Sequence, residues 1–243
     1  RAFVQFFANH GFLQVGGRPQ WRVIRGGSQR YVDALIRPFR HRIRLRTPVQ
    51  AIVRRPDGGC IASRDYPAER FDAVVIAAHS DQALAMLAEP TAAEREILGA
   101  IPYQPNQAVL HCDARLLPRA RRAWAAWNAH VPADAPGGAA VTYNMNLLQG
   151  LESPEPFCVT LNHTGGIDPQ RILARMTYQH PIFTAAGLAA QRRWAEISGQ
   201  QRTYYCGAYW GWGFHEDGVN SALAVARQFG LEDALAADAA QAA

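Results

Sequence analysis

The sequence predicts a mixed α/β fold in which one α/β sheet domain is assembled from two separated stretches with a β-rich insertion between them. Three observations predict it. Residues 71–78 form a continuous apolar run of the kind a strand buried on both faces carries. Residues 108–163 hold short strand-like runs punctuated by Pro, Gly and aromatic residues. Residues 203–229 then return to a strand, a glycine-rich loop and a helix.

Taken in order, the chain opens on an apolar-aromatic run (Phe3, Val4, Phe6, Phe7), with Arg rather than Met at position 1. That opening is expected of a piece of a longer protein. Ser28 is placed to cap a helix with Tyr31, Val32, Leu35 and Ile36 on one face, and Pro38 stands where it should stop. Residues 42–55 alternate apolar and polar as a half-buried strand does. Pro56-Asp57-Gly58-Gly59 turns the chain into a return strand from Cys60 to Ser63. After the 71–78 strand, His79-Ser80-Asp81 starts a short helix through Leu84, Met86 and Leu87. Thr91-Ala92-Ala93-Glu94 is a capping box for the next.

Strands are expected at Ala108–His111, Ala139–Met145 and Phe157–Asn162, in a mainly antiparallel sheet. Asp168-Pro169 should open a helix, and residues 185–198 read as a longer one. Thr203–Cys206 is a strand. A helix runs from about Glu216 to Phe229 and stops at Gly230. Gly218, Ala222 and Ala226 form a small-residue stripe along it, suited to close packing on a sheet or a cofactor. Residues 234–243 should fray.

Composition excludes several function classes. With 49% hydrophobic and 19% charged residues over 243 positions, the chain is a globular protein and not a disordered one. No apolar run nears the ~20 residues that span a bilayer. All 25 basic residues are Arg, so no Schiff-base, P-loop or lysine-nucleophile chemistry is open to these residues. Residues 1–70 carry 14 Arg against 4 acids, a basic third suited to an anionic ligand or a peripheral membrane contact. No nucleic-acid recognition motif accompanies it. Cys60, Cys112, Cys158 and Cys206 lie far apart, which reads as reduced thiols in a cytoplasmic protein, not as a zinc site or a disulfide framework. Gly26-Gly27-Ser28 is no serine-nucleophile elbow, and His215-Glu216 lacks the second histidine of a zincin, so no metal is expected.

The chemistry concentrates at Gly207 and at Gly213-Phe214-His215-Glu216-Asp217-Gly218, where a glycine loop enters a helix N-terminus. Glycines let a ligand approach the backbone, and the helix end offers unpaired N–H groups.

Four stretches together resemble the flavin-dependent amine oxidase superfamily, in its bacterial branch of NAD/FAD-binding proteins. They are Trp21-Arg22-Val23-Ile24-Arg25-Gly26-Gly27-Ser28, Thr47-Pro48-Val49-Gln50-Ala51-Ile52, Phe71 to Ala78, and Cys206 to Ala222. The resemblance implies a partial FAD-binding domain of amine-oxidase/glutathione-reductase-like type with a β-rich substrate-domain insertion. It assigns 1–41 to the substrate domain and a connecting helix, 42–100 and 201–233 to FAD-binding segments, and 101–200 to the substrate domain. FAD is then the cofactor. Val49, Gly207, Ala208, Gly213, Phe214, His215, Glu216, Asp217 and Gly218 are its expected contacts. The G-x-G-x-x-G fingerprint that holds the pyrophosphate is absent and is expected upstream of Arg1. Ala208 stands where the family often has an acidic residue, and no Lys is present for a flavin-side position.

These departures turn the reading from amine oxidation toward a desaturase or dehydrogenase acting on a hydrophobic, lipid-like small molecule. The alternative is an inactive binding module that keeps part of the fold. Trp127, Asn128, Tyr143 and Trp210 are candidate substrate-pocket residues. His111, His180 and His215 are candidate proton carriers, because imidazole titrates near neutrality.

Overall fold

The computed structural model describes residues 22–131 and 140–231, with a few positions among the first 17. Trp21, Ala139, the residues Phe3 and Phe6 of the opening run, and the tail expected to fray lie outside the described residues. The chain divides into two compact units, residues 1–43 with 104–180 and residues 44–103 with 181–243.

The second unit begins with a meander. β1 (Val49–Arg55), β2 (Gly58–Ser63) and β3 (Glu69–Phe71) form an antiparallel three-stranded sheet in that order. The turn is as tight as its sequence suggests, since any side chain at Gly58 would run into the Phe71 carbonyl. The apolar run at 71–78 is not one strand. It breaks at Asp72-Ala73, and β4 (Val74–Ile76) leaves the meander to pair in parallel with β10 (Thr203–Tyr205). β10 is β4's partner in a two-stranded sheet, and Val75 is 45% exposed, so the expectation of a fully buried interior strand is corrected. The expected strand over 42–55 likewise begins only at Val49. Residues 37–42 instead continue α1 (Gln29–Ile36) as a 3-10 turn past Pro38.

α2 (Ser80–Met86) and α3 (Ala92–Gly99) follow β4. The capping box of α3 is present: Glu94 N–H donates to Thr91 Oγ1, and Glu94 Oε2 accepts the Thr91 N–H at 2.7 Å. Later come α5 (Ala185–Gln191), α6 (Trp194–Ile197) and α7 (His215–Gln228). The expected single helix over 185–198 is interrupted at Arg192-Arg193. The core joins Ile52, Val74, Ile76, Ala83, Leu87, Ile97, Leu98, Ile197 and Tyr205.

A buried ionic knot runs through this core. Glu94, 1% exposed, accepts from Arg54 Nη1 at 2.5 Å and from Tyr205 Oη at 2.6 Å. Arg54 Nη2 donates to the Glu89 carbonyl. Burial pushes the Glu94 carboxyl up, but the hydrogen bonds from Arg54, Tyr205 and Thr91 outweigh it and hold the group below its ordinary value. The same burial and the neighbouring carboxylate push the Tyr205 hydroxyl far up.

The first unit is built on a five-stranded sheet in the order β6 (Trp127–His130), β7 (Ala140–Asn144), β8 (Cys158–Leu161), β5 (Tyr103–His111), β9 (Ile172–Pro181). β6, β7, β8 and β5 pair antiparallel, as expected. Asp168-Pro169 opens only a 3-10 turn, and the chain then extends into β9, where a helix was expected. The turn is anchored by Asp113, whose Oδ2 accepts the Asp168 N–H at 2.9 Å. Hydrogen bonds from the Arg115 guanidinium, foremost, hold the Asp113 carboxyl well below the usual carboxylate range.

Candidate functional site

In the second unit the parallel strands β4 and β10 end side by side, with the Cys206 N–H bonded to the Ile76 carbonyl at 3.1 Å. Ligands of open α/β sheets sit beyond such carboxyl ends. Two segments leave there: Ala77-Ala78-His79 into α2, and Gly207 to Phe214 into α7.

The second segment is tightly coiled. Residues Ala208–Trp210 make a 3-10 turn, and Gly213 N–H returns to the Ala208 carbonyl at 3.1 Å. Gly207 N–H donates to Ser221 Oγ at 2.9 Å, which pins the loop onto α7. A side chain at Gly207 would stand 2.5 Å from the Tyr209 ring, and one at Gly211 would overlap the Asp217 carboxylate. Gln191 Nε2 donates to the Tyr209 and Gly211 carbonyls at 2.8 and 2.7 Å, and Trp194 Nε1 to the Tyr205 carbonyl. Asp217 Oδ2 caps α7 by accepting the Phe214 N–H at 2.9 Å. α7 buries Ser221 and Val225, whereas Ala222 is exposed. Of the small-residue stripe, Gly218 and Ala226 are half-buried and Ala222 is exposed.

Around this loop lie three buried polar atoms with no hydrogen-bond partner among the described residues: His79 Nδ1, Tyr209 Oη and Trp210 Nε1. The Trp210 indole leans toward the Tyr209 hydroxyl and slightly offsets the effect of burial, which pushes that hydroxyl far up. Neither group completes a hydrogen bond. The His79 ring stacks on Tyr103 at 4.7 Å, and Tyr103 Oη accepts the Ser80 N–H at 2.9 Å. Buried polar groups are nearly always paired, so three orphans in one unit ask for a polar partner.

In the first unit, Trp127 and Tyr143 are cross-strand neighbours whose rings meet edge-on at 5.9 Å, and Trp127 is 52% exposed. Asn128 is buried and occupied with structure: Oδ1 accepts the Ala125 N–H, and Nδ2 donates to the Ala125 and Thr142 carbonyls. His111 is fully buried in the sheet. Its Nδ1 accepts the Asp113 N–H at 3.1 Å, which puts the proton on Nε2, donated to Thr160 Oγ1 at 2.8 Å. Thr160 in turn bonds Thr142 at 2.9 Å. Burial lowers the His111 pKa, so the ring is a neutral structural element. His180 is exposed at the end of β9, with Nδ1 2.7 Å from Asn106 Nδ2. His215 is exposed at the first position of α7.

The model of the family described as flavin containing amine oxidoreductase matches residues 2–120. Over these residues, just under half of the chain, the sequence is similar to that family. The fold of the chain agrees. A fatty acid isomerase from P. acnes, described as producing CLA, superposes with a TM-score of 0.59 at 14% identity, over 84% of this chain and 52% of that one. A putrescine oxidase redesigned in its cofactor binding gives 0.58 at 9% identity, over 84% and 52%. Cyclohexylamine oxidase from Brevibacterium oxydans gives 0.53 at 14% identity, over the same shares. This chain thus spans about half the length of these proteins. No curated protein sequence matches it.

Seen as part of an amine oxidoreductase fold, the sequence-derived contact set falls into one unit. Val49 opens β1 half-buried, beside the irregularity in its pairing with β2. Gly207 to Gly218, including Trp210, surround the end of β10. Trp127, Asn128 and Tyr143 belong to the other unit. His79 and Tyr103 escaped the sequence reading, whereas the loop from Tyr209 to Trp212 is a flavin-face candidate from the sequence itself. The available signal for His79 was position, since it follows directly on an apolar strand.

Proposed function

We propose that this chain supplies the strand–glycine–helix half of an FAD site in an FAD-dependent oxidoreductase acting on a hydrophobic, lipid-like small molecule as a desaturase or dehydrogenase. The observation that carries this reading is the group of orphaned polar atoms on His79, Tyr209 and Trp210 at the carboxyl ends of β4 and β10, beside a Gly207 that leaves no room for a side chain. Such a cradle fits the polar edge and hydroxylated chain of a flavin nucleotide. Bound FAD would supply the two-electron acceptor that no side chain here offers.

The chain's own residues then hold and orient. Gly207 and Gly213 keep the backbone open to close approach. The amino end of α7, from His215 through Gly218, presents a positive dipole end to electron-rich groups. Val49 is the strand contact that the family resemblance implies. His180 and His215 are exposed imidazoles able to carry a proton; His111 is committed to the sheet interior. Two things support a hydrophobic substrate over an amine: the absence of Lys, and an exposed Trp127 beside Tyr143. The fold also serves, in its P. acnes relative, a fatty acid isomerase.

The test measures flavin in the complete polypeptide that contains these residues. The purified protein is expected to carry FAD, and Gly207→Val to lower its occupancy at least tenfold. Should that variant fold poorly, hydrogen exchange on the unchanged protein gives a second reading. FAD is expected to slow exchange across 206–218 and at 78–80. A flavin-free complete protein, or protection confined to other segments, overturns the proposal.

A further inference from the structure

We infer that the first unit carries a separate small-molecule site, selective for a monocarboxylate with a compact apolar body, in the cavity between Trp124 and the loop that follows α4 (Met145–Gln149). The cavity holds about 240 Å³ and is walled by Arg121, Trp124, Asn144, Leu147, Leu151 and Pro154 among others. All of these residues belong to the first unit and the loop that supports the flavin reading belongs to the second, so the inference does not depend on that reading.

The cavity is held open by structure. Asn146 Nδ2 donates to the Glu155 carbonyl at 2.9 Å, its Oδ1 accepts the Phe157 N–H at 2.7 Å, and Leu151 N–H returns to the Asn146 carbonyl at 3.0 Å. Gly150 makes the left-handed turn that ends α4. The opposite wall is equally fixed, since Trp124 Nε1 donates to the Pro118 carbonyl at 2.8 Å. Preformed walls are what distinguish a ligand site from an incidental groove.

Among the described residues, two donors at this cavity lack an acceptor. Asn144 is 1% exposed. Its Oδ1 accepts the Leu147 N–H at 3.2 Å, which fixes the orientation of the amide and leaves Nδ2 as the unsatisfied end. Arg121 lies over the Trp124 ring at 5.2 Å from the guanidinium carbon, and no carboxylate pairs with it among the described residues. A guanidinium fork and a neighbouring amide N–H are complementary to a carboxylate, and the ring-stacked guanidinium is already oriented. Leu147, Leu151 and Pro154 supply apolar surface for the remainder of such a ligand. The loop's own carboxylates, Glu152 and Glu155, are not among the lining residues, so an anion meets no like charge on the wall.

The test compares 4-phenylbutyrate with 4-phenylbutyramide by titration calorimetry on the full chain, with ¹H–¹⁵N spectra to locate the site. The acid is expected to bind at least tenfold more tightly than the amide and to shift signals of residues 144–151. Arg121→Met, a change at an exposed side chain, is expected to erase the preference. Leu151→Trp is expected to fill the cavity and block both probes. Asn144→Asp keeps the cap on Leu147 while replacing the donor with negative charge, and should weaken the acid more than the amide. Equal binding of acid and amide, an unchanged preference in Arg121→Met, binding that survives Leu151→Trp, or no binding of the acid each overturns the inference.

Discussion

Replacing Glu94 with Gln tests whether the second unit rests on its buried ionic knot. Glu94 is 1% exposed and the Arg54 side chain 5%. The carboxylate accepts from Arg54, Tyr205 and the Thr91 N–H at 2.5, 2.6 and 2.7 Å. Glutamine keeps the shape but has one acceptor oxygen where three donors converge, and it leaves the Arg54 guanidinium buried without a counter-charge. Removing one partner of such a pair costs about 3–5 kcal/mol, a large share of the roughly 5–15 kcal/mol that holds a domain together. Urea unfolding followed by circular dichroism should therefore show a midpoint lowered by well over 1 M, at a slope of about 1–3 kcal/mol per molar. The pH dependence supplies a second reading. The folded carboxyl is held below its unfolded value of 4.5. Its contribution is therefore complete above pH 4.5 and is lost as pH falls through the lower, folded value. Glu94→Gln should flatten that acid-side decline. A loss below about 1 kcal/mol, in the range of exposed pairs, would refute the claim that the knot carries the core.

His111 and the cysteines give further outcomes. Because burial depresses the His111 pKa below its ordinary 6.5, the unfolded chain takes up a proton there before the folded one does. Stability is thus expected to fall as pH drops through 6.5 toward the folded value, and His111→Gln should remove that part of the slope between pH 7.5 and 5.5; an unchanged slope would show the ring to be solvated. Cys158 is fully buried, and its thiol is pushed up to about 11, first by burial. Burial also raises Cys112 and Cys206, while Cys60 is half-exposed. A thiol reagent at pH 8 should label Cys60 first and the other three only on unfolding, as peptide mass spectrometry would report.

Local chemistry was legible in the sequence where neighbours along the chain decide it. The Thr91–Glu94 box, the 56–59 turn and the strand–glycine–helix at 203–229 each depend on residues within a few positions of one another; the helix after Ser28 forms too, but Ser28 is itself helical and makes no capping hydrogen bond. What failed was partner choice at a distance. The 71–78 run looks like one strand, but its first residue, Phe71, pairs back with Gly59 while Val74–Ile76 pairs forward with Thr203–Tyr205. Asp168-Pro169 carries a helix-start signal, yet Asp113 captures the Asp168 N–H and the following residues alternate half-buried and exposed as a strand does. Glu94 was visible as a cap and not as the partner of Arg54 and Tyr205, 40 and 111 residues away. The candidate site divides the same way: its glycines, aromatic loop and helix end announce themselves, whereas His79 and Tyr103 acquire meaning only when two distant strands are laid together.

The parallel pairing of β4 with β10 also sets a timetable for synthesis. Ile76 and Thr203 are separated by a stretch that contains all five strands of the first unit's sheet. At about 5–20 residues per second, a ribosome needs roughly 6–25 s to pass from one to the other. Throughout that interval β10, the strand that pairs with β4 among the described residues, is not yet made, and Glu94 and Arg54 wait in each other's company without Tyr205. The sheet of the first unit is meanwhile complete in the emerging chain and free to form. The part of the molecule encoded on both sides is thus finished last, and during those seconds the exposed edge of Val74–Ile76 is where a nascent chain would need shielding from its neighbours.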